Sequence, residues 1–277
     1  MRALTSAIAI ALLGASTLGS ARPLAAQTGD SLTITFLANM GVMLSSAGRT
    51  VMIDGLFGDG LPDYGVVTPA TRGVLQRAAP PFAGVDYVLA THVHRDHFDP
   101  ASVLGHLRAN PRATFISSTQ AAERLREADG ASARAIGARI VGVDPPRGAR
   151  RRILSAASVT MDALGLPHGR TRNRATNLGY LIDIGGRRVL HAGDAEFAAA
   201  DVARLGLGER GVDVALLPFW YLTSSALREV VRRDVRPASI IALHVPPADR
   251  ERVMREIQAE FPNARAFGRE LESIVIR

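Results

Sequence analysis

The chain reads as an α/β protein of the αββα kind, two mixed β-sheets packed face to face with helices on both outer faces, and three observations point there. Strand-like segments cluster first and then alternate with helical ones in each half, the order expected when two sheets pair and helices cover their outer faces. A strand, turn, strand, glycine unit recurs at a constant offset: Gly41, Gly48, Arg49, Val51 and Gly55 are echoed by Gly179, Gly186, Arg187, Val189 and Gly193. No Pro/Ser/Gly-rich linker divides the 277 residues, of which 47% are hydrophobic, so residues 27–277 are expected to form one domain.

Residues 1–26 stand apart. Arg2 precedes an apolar, alanine-rich run from Ala7 to Leu13, small residues follow, and Ala21 to Gln27 has the layout of a secretory cleavage region, so a signal peptide ending at Ala26 is expected. The run is short for a bilayer span, no later stretch reads as transmembrane, and the mature protein is expected in the periplasm or outside the cell. The net charge of +7 is carried by arginine alone, since lysine is absent, and reads as compositional bias rather than as a nucleic-acid footprint. Cysteine is absent too, which removes disulfides, thiolate nucleophiles and Cys metal ligands together.

In chain order, Ser31 to Ala38 alternates as a strand, and Gly41–Ser46 with Thr50–Asp54 reads as a hairpin turned at Ala47-Gly48. Residues 55–67 form a loop carrying Phe57, Leu61 and Tyr64, long enough to suggest function. A helix is expected over Thr68–Ala78 and a buried strand over Val85–Ala90. Asp99 as N-cap and Pro100 at the first position announce a helix to Ala109, with His106 placed on its surface. The segments 113–117, 119–128, 139–143, 152–154 and 158–164 read as strand, helix and three strands. A second hairpin spans Asn177–His191. After it come helix 196–205, strand 212–217, helix 223–233, strand 238–243, helix 248–260 and strand 271–276.

Chemistry concentrates where the strand at 85–90 runs into Thr91-His92-Val93-His94-Arg95-Asp96-His97. Three imidazoles and a carboxylate at the end of a buried strand are costly to desolvate unless a divalent cation compensates them. His92 and His94 can point one way and Asp96 and His97 another, a spacing that suits two adjacent metals better than one. His168, Asp194 and His244 each follow an apolar strand and can converge on the same rim.

The T-H-x-H-x-D-H run, followed in order by His168, Asp194 and His244, resembles the metallo-β-lactamase superfamily over nearly all of residues 27–277. That resemblance implies the metallo-β-lactamase fold and two divalent metal ions, zinc first, with manganese, iron or nickel also compatible with such donors. It implies that His92, His94 and His168 hold one metal, that Asp96, His97 and His244 hold the other, and that Asp194 bridges them. Asp96 and Asp194 would be the catalytic carboxylates, around a hydroxide shared by the two cations. Asp54 matches a position that supports the ligands, and His191 is expected in the core or behind them.

The bridging Asp194 and the missing cysteine argue against typical β-lactam hydrolases. The hairpin Gly179–Asp194 looks like the branch of ascorbate-phosphate lactonases, N-acyl-phosphatidylethanolamine phospholipase D and ribonuclease Z, and the leader disfavours the last. The expected activity is hydrolysis of an ester, lactone or phosphodiester in a small or lipid-like substrate, anionic or neutral. A metal-binding or sensing protein that kept the cage without turnover, or a β-lactam hydrolase, is the alternative. Arg170, Arg172 and Arg174, and the cluster Arg147, Arg150, Arg151 and Arg152, read as phosphate forks or as solvated surface, and Phe219, Trp220 and Tyr221 as a pocket wall or as packing.

Overall fold

Alternation along the strands decides the architecture. On Gly41–Ser46 (β2) Val42 and Leu44 point one way and Met43 the other; on Arg49–Ile53 (β3) Val51 and Ile53 oppose Met52, and all six are buried. A strand buried on both faces needs a layer on each side, and the computed structural model supplies one. It describes residues 31–128, 130–156, 158–169, 175–196 and 199–277.

The first sheet adds Leu32–Ala38 (β1), Tyr87–Leu89 (β4), Thr114–Ser117 (β5) and Ile140–Gly142 (β6). The second is built from Arg150–Ala156 (β7), Val159–Gly165 (β8), Leu178–Ile184 (β9), Arg187–His191 (β10), Val214–Pro218 (β11), Ser239–Leu243 (β12) and Arg265–Ala266 (β13). Ser273–Ile276 (β14) crosses back to the first sheet and pairs antiparallel with β1. The orders are β14-β1-β2-β3-β4-β5-β6 and β13-β12-β11-β10-β9-β8-β7. In both, an antiparallel run ends in a strand (β3 or β10) that pairs parallel with the next, so the repeat seen in the sequence corresponds to two like half-molecules. Both hairpins turn through two consecutive left-handed residues, Ala47-Gly48 at φ 51° and 70° and Gly185-Gly186 at 58° and 78°, the geometry that matches strand twist.

Between the sheets lies a core of Ile34, Val42, Leu44, Val51 and Ile53 against Met161, Tyr180, Ile182, Val189, Leu216 and Ile241. The helices Pro69–Gln76 (α1), Pro100–Ala109 (α2), Thr119–Ala128 (α3) and Gly130–Ala135 (α4) belong to the first half, and α1 to α3 bury Leu75, Leu104, Leu107 and Leu125 against Met43, Met52, Val88 and Phe115. The second half carries Ala199–Leu205 (α5), Leu207–Arg210 (α6), Trp220–Thr223 (α7), Ser225–Val230 (α8) and Arg250–Glu260 (α9). These bury Val202, Leu205, Val230, Val253 and Ile257 against Leu181, Leu190, Ala215, Leu217 and Ala242. Two sheets inside and helices outside is the αββα sandwich that the strand order predicts.

Two expectations need correcting, and two short elements are added. The single helix expected over 223–233 is broken: Ser224 is extended (ψ 124°) between α7 and α8, and Val231–Val235 continues α8 as a wider turn that stops at left-handed Arg236 before Pro237. Neither α4 nor the two-residue β13 was signalled by periodicity. His106 is not on the surface: it is fully buried, and its Nδ1 lies 2.6 Å from the carbonyl of Leu75 at the end of α1, which also accepts the Ala78 main-chain N–H at 3.1 Å. Charge and polarity at one helical position do not reveal that a second helix covers it. The leader, and with it residues 1–30, lies outside the described residues, as do Arg170, Arg172 and Arg174. No helix among the described residues is long and apolar enough to cross a membrane.

Candidate metal centre

Strand ends place the site. Leu89 ends β4, and Thr91 to His97 form the turn before α2, whose N-cap is Asp99, as the sequence predicts; its carboxylate accepts the main-chain N–H of Ser102 at 2.8 Å. His168 follows β8 and is held beside the β10 exit by an isolated antiparallel bridge to Ala195. Asp194 follows β10, and His244 follows β12 in a left-handed conformation, φ 56°.

All seven sequence-predicted side chains meet, in three groups whose candidate ligand atoms lie within 4.8 Å of one another: His92, His94 and His168; Asp96, His97 and His244; and His92, His97 and Asp194. The last group takes one histidine from each of the others. Asp194 faces both sides: its Oδ1 is 3.4 Å from His97 Nε2, while its Oδ2 is 3.4 Å from His244 Nε2, 3.8 Å from His168 Nε2 and 3.9 Å from His92 Nε2. Asp96 Oδ2 lies 3.4 Å from His244 Nε2 and 3.5 Å from His97 Nε2.

These separations are longer than hydrogen bonds. His94 Nε2, His97 Nε2, both ring nitrogens of His168 and of His244, and Asp194 Oδ1 are buried without a hydrogen-bond partner among the described residues. Buried polar atoms are nearly always paired, and a converging group that is not paired fits a ligand taken up from outside the chain. With nitrogen and oxygen donors only, the set suits divalent cations of the zinc, manganese, iron or nickel type.

In the metal-free protein the carboxylates and imidazoles of the site offset one another's charge. Burial pushes the Asp194 and Asp96 carboxyls up, yet His97 and His244 outweigh it and hold both well below the usual carboxylate range. Burial lowers His92, helped by His97, so this ring stays neutral with a lone pair to offer. Burial opposes charge on His97 as well, but Asp194 and Asp54 together lift it well above the ordinary value.

Supporting contacts are dense. Asp54, left-handed at φ 49°, accepts the main-chain N–H of Thr91 and its hydroxyl, both at 2.7 Å, and meets His97 Nδ1 at 2.8 Å. A carboxylate behind an imidazole sets its tautomer and turns the other nitrogen inward, the arrangement that orients metal-ligating histidines. Asn177 holds the other flank: its Oδ1 accepts the N–H of Asp194 at 3.1 Å. His191 is wholly buried between the Met40 carbonyl and the Gly193 N–H, in the core as expected. At the mouth Tyr64 and Trp220 flank His244 edge-on, with ring centres 4.1 Å and 5.0 Å away. Tyr221 instead packs inside, donating to the Ala195 carbonyl at 2.6 Å. Arg147 pairs with Asp201 at 2.8 Å, and Arg150 and Arg152 pair with Asp162, so these guanidinium groups are engaged within the chain. Asn39 and Asn177 carried no signal in the sequence, since neither belongs to a motif.

Residues 49–261 match the family model described as Beta-lactamase superfamily domain, and the match takes in every residue of the site except Asn39. The chain belongs to the metallo-β-lactamase superfamily. Within that superfamily it is 30% identical over 162 residues to a UPF0173 metal-dependent hydrolase of Symbiobacterium thermophilum, covering 57% of this chain and 65% of that one. The chain thus spans just under two thirds of that relative's length. Its fold is that of Igni18, a metallo hydrolase from Ignicoccus hospitalis, with a TM-score of 0.59 at 18% identity over 89% of this chain and 99% of the other. CmlA, a diiron β-hydroxylase from Streptomyces venezuelae, has the same superfamily fold at a TM-score of 0.57 and 19% identity, over 90% of this chain and 55% of that one.

Proposed function

We propose that this chain is an exported metal-dependent hydrolase that holds two divalent cations and cleaves an ester, lactone or phosphodiester bond. The observation that carries the proposal is the placing of Asp194 between the two groups: its Oδ2 lies 3.8 Å from His168 and 3.9 Å from His92 of one, and its Oδ2 and Oδ1 lie 3.4 Å from His244 and 3.4 Å from His97 of the other. His92, His94 and His168 would hold one cation, Asp96, His97 and His244 the other, with Asp194 between. Such a pair of cations would supply Lewis-acid polarisation of a carbonyl or phosphoryl oxygen and a water whose pKa falls to about 7.

The residues do the rest. Asp54 keeps His97 turned inward, and Asn177 keeps the Asp194 backbone in place. Asp96 and Asp194 stay ionised in a buried setting, so their oxygens remain available as donors to a cation. Tyr64 and Trp220 present apolar ring surface beside His244, which suits a substrate with an apolar body and excludes water from it. A cavity of about 460 Å³ borders the site through Asn39 and His244, the one candidate ligand in its wall, and is otherwise lined by residues that include Leu37, Val245, Phe267 and Arg250. A chamber of that size admits a small or lipid-like substrate.

Purified protein is to be assayed against ester, lactone and phosphodiester panels, with and without chelator, alongside elemental analysis. Chelator-sensitive turnover of one panel with two metals per chain is the expected result. Metal content without turnover of any panel overturns the hydrolase in favour of a binding or sensing role, and an iron-loaded protein that consumes oxygen overturns it in favour of oxidative chemistry. Export is tested separately, by mass spectrometry of the periplasmic or secreted form, which is expected to begin at Gln27; an intact Met1 terminus in the cytosol overturns it.

A further inference from the structure

Asn39 sits in the turn between β1 and β2, on the first sheet, and is only 4% exposed. Its backbone is left-handed at φ 51°, and so is that of His244 at φ 56°, which it touches across the sandwich: the Asn39 carbonyl accepts the His244 main-chain N–H at 3.2 Å. Its side chain reaches the other way. Nδ2 donates to Asp96 Oδ2 at 3.0 Å and approaches the Asp96 carbonyl at 3.4 Å. A carboxylate offers only acceptors, so the amide must present its NH2 there, and its carbonyl Oδ1 is left buried with no partner among the described residues.

That arrangement is costly for the fold taken alone. A left-handed turn is most easily made by glycine, and a buried acceptor without a donor is destabilising. Strain and unpaired groups of this kind gather where the surroundings need a side chain in one place. The oxygen that Asn39 fixes is the one that faces His97 Nε2 at 3.5 Å and His244 Nε2 at 3.4 Å. One residue therefore grips both Asp96, by its side chain, and His244, by its main chain.

Resting on the two-metal reading proposed above, we infer that Asn39 is a positioning residue for the second metal position, holding the Asp96 carboxylate and the His244 backbone in register so that Asp96, His97 and His244 form one ligand group. The first position, made of three histidines that Asn39 does not touch, is independent of it.

The test uses metal-free full-length protein titrated with cobalt(II) and followed by visible absorption. Wild-type protein takes up two equivalents in two steps. Asn39→Gly keeps the left-handed backbone and the main-chain carbonyl but removes the amide. Asn39→Asp keeps the shape but sets a second carboxylate against Asp96. In both variants the first equivalent binds as in wild type, and the second binds about 10–100-fold more weakly, the usual effect of removing a group that orients a metal ligand. Circular dichroism shows whether each variant is folded, and a misfolded Asn39→Asp leaves Asn39→Gly to decide. Two wild-type-like steps in the folded variants overturn the role of Asn39 alone, as does equal weakening of both steps. Wild-type protein that takes up a single equivalent overturns the two-metal reading and this inference with it.

Discussion

His97 is held between two carboxylates: its Nδ1 lies 2.8 Å from Asp54 Oδ2 and its Nε2 lies 3.4 Å from Asp194 Oδ1. Asp54 follows β3 and Asp194 follows β10, so one imidazole ties the first sheet to the second at the site. Asp54→Asn keeps a residue type that tolerates the left-handed backbone but weakens the acceptor behind His97. Metal affinity is expected to fall by about 10–100-fold, read by competitive chelator titration, while the melting temperature of the metal-free protein changes little. Unchanged affinity would remove Asp54 from the ligand support.

The three groups of candidate ligands predict separable losses. His168→Ala is expected to weaken mainly one metal, His244→Ala mainly the other, and Asp194→Ala both, with hydrolysis depressed strongly in all three. Arg255→Ala is the control: its side chain is 72% exposed on α9 with only a long, exposed ion pair to Glu251 at 3.9 Å recorded among the described residues, and a substitution of that kind shifts stability by no more than about 0.5 kcal/mol. Two tightly held metals in Asp194→Ala would break the assignment of the bridge.

His106 cannot serve as such a control, because it is buried against the Leu75 carbonyl. His106→Ala deletes that partner and opens a cavity between α1 and α2, so the protein is expected to lose about 2–4 kcal/mol of stability, measured by urea unfolding, with metal content intact. A loss under about 0.5 kcal/mol would mean that the contact is not formed.

Gly193, just before Asp194, has φ 57°, and a Cβ there would come within 2.5 Å of Asn177 Oδ1 and 2.7 Å of Thr91 Cβ. Neither atom can move without disturbing the site, since Asn177 anchors Asp194 and Thr91 is bound to Asp54. Gly193→Ala is therefore expected to lower metal occupancy as well as thermal stability; a variant with full occupancy would show that the backbone relaxes elsewhere.

Away from the site, burial pushes the Asp162 carboxyl up, but hydrogen bonds from Arg152 and Arg150 outweigh it and hold its pKa below the usual value. A carboxylate with a depressed folded-state pKa contributes stability that is fully present above its unfolded value, about 3.9, and is lost as pH falls through the folded one. Metal-free protein is expected to lose stability below about pH 4, and Asp162→Asn to flatten that fall. Both arginines are partly exposed, 38% and 50%, so added salt should reduce the effect. Identical acid-unfolding curves for the two proteins would remove Asp162 from the account.

Local signals were legible in the chain. The hairpin turn at Ala47-Gly48, the Asp99 cap and the helix 100–109 depend on backbone preferences and on contacts a few residues apart, so the sequence predicts them residue by residue. The αββα architecture also follows from it, because apolar runs buried on both faces require a layer on each side. The H-x-H-x-D-H spacing likewise announces its chemistry, since those side chains have no inexpensive place in a core without a cation.

What only the tertiary structure decided are the relationships between residues far apart in the chain. Asn39 and Asp96 are separated by 57 positions, and His191 and Met40 by 151, yet both pairs are in contact. Nothing in the sequence near Asn39 or His106 tells which partner will cover them, because pairing is set by how two sheets and their helices dock. The direction of a side chain at a strand end depends on one dihedral angle, left-handed at Asn39, Asp54 and His244. That angle is imposed by the packed surroundings rather than by local preference, and it aims the groups that meet at Asp96, His97 and Asp194.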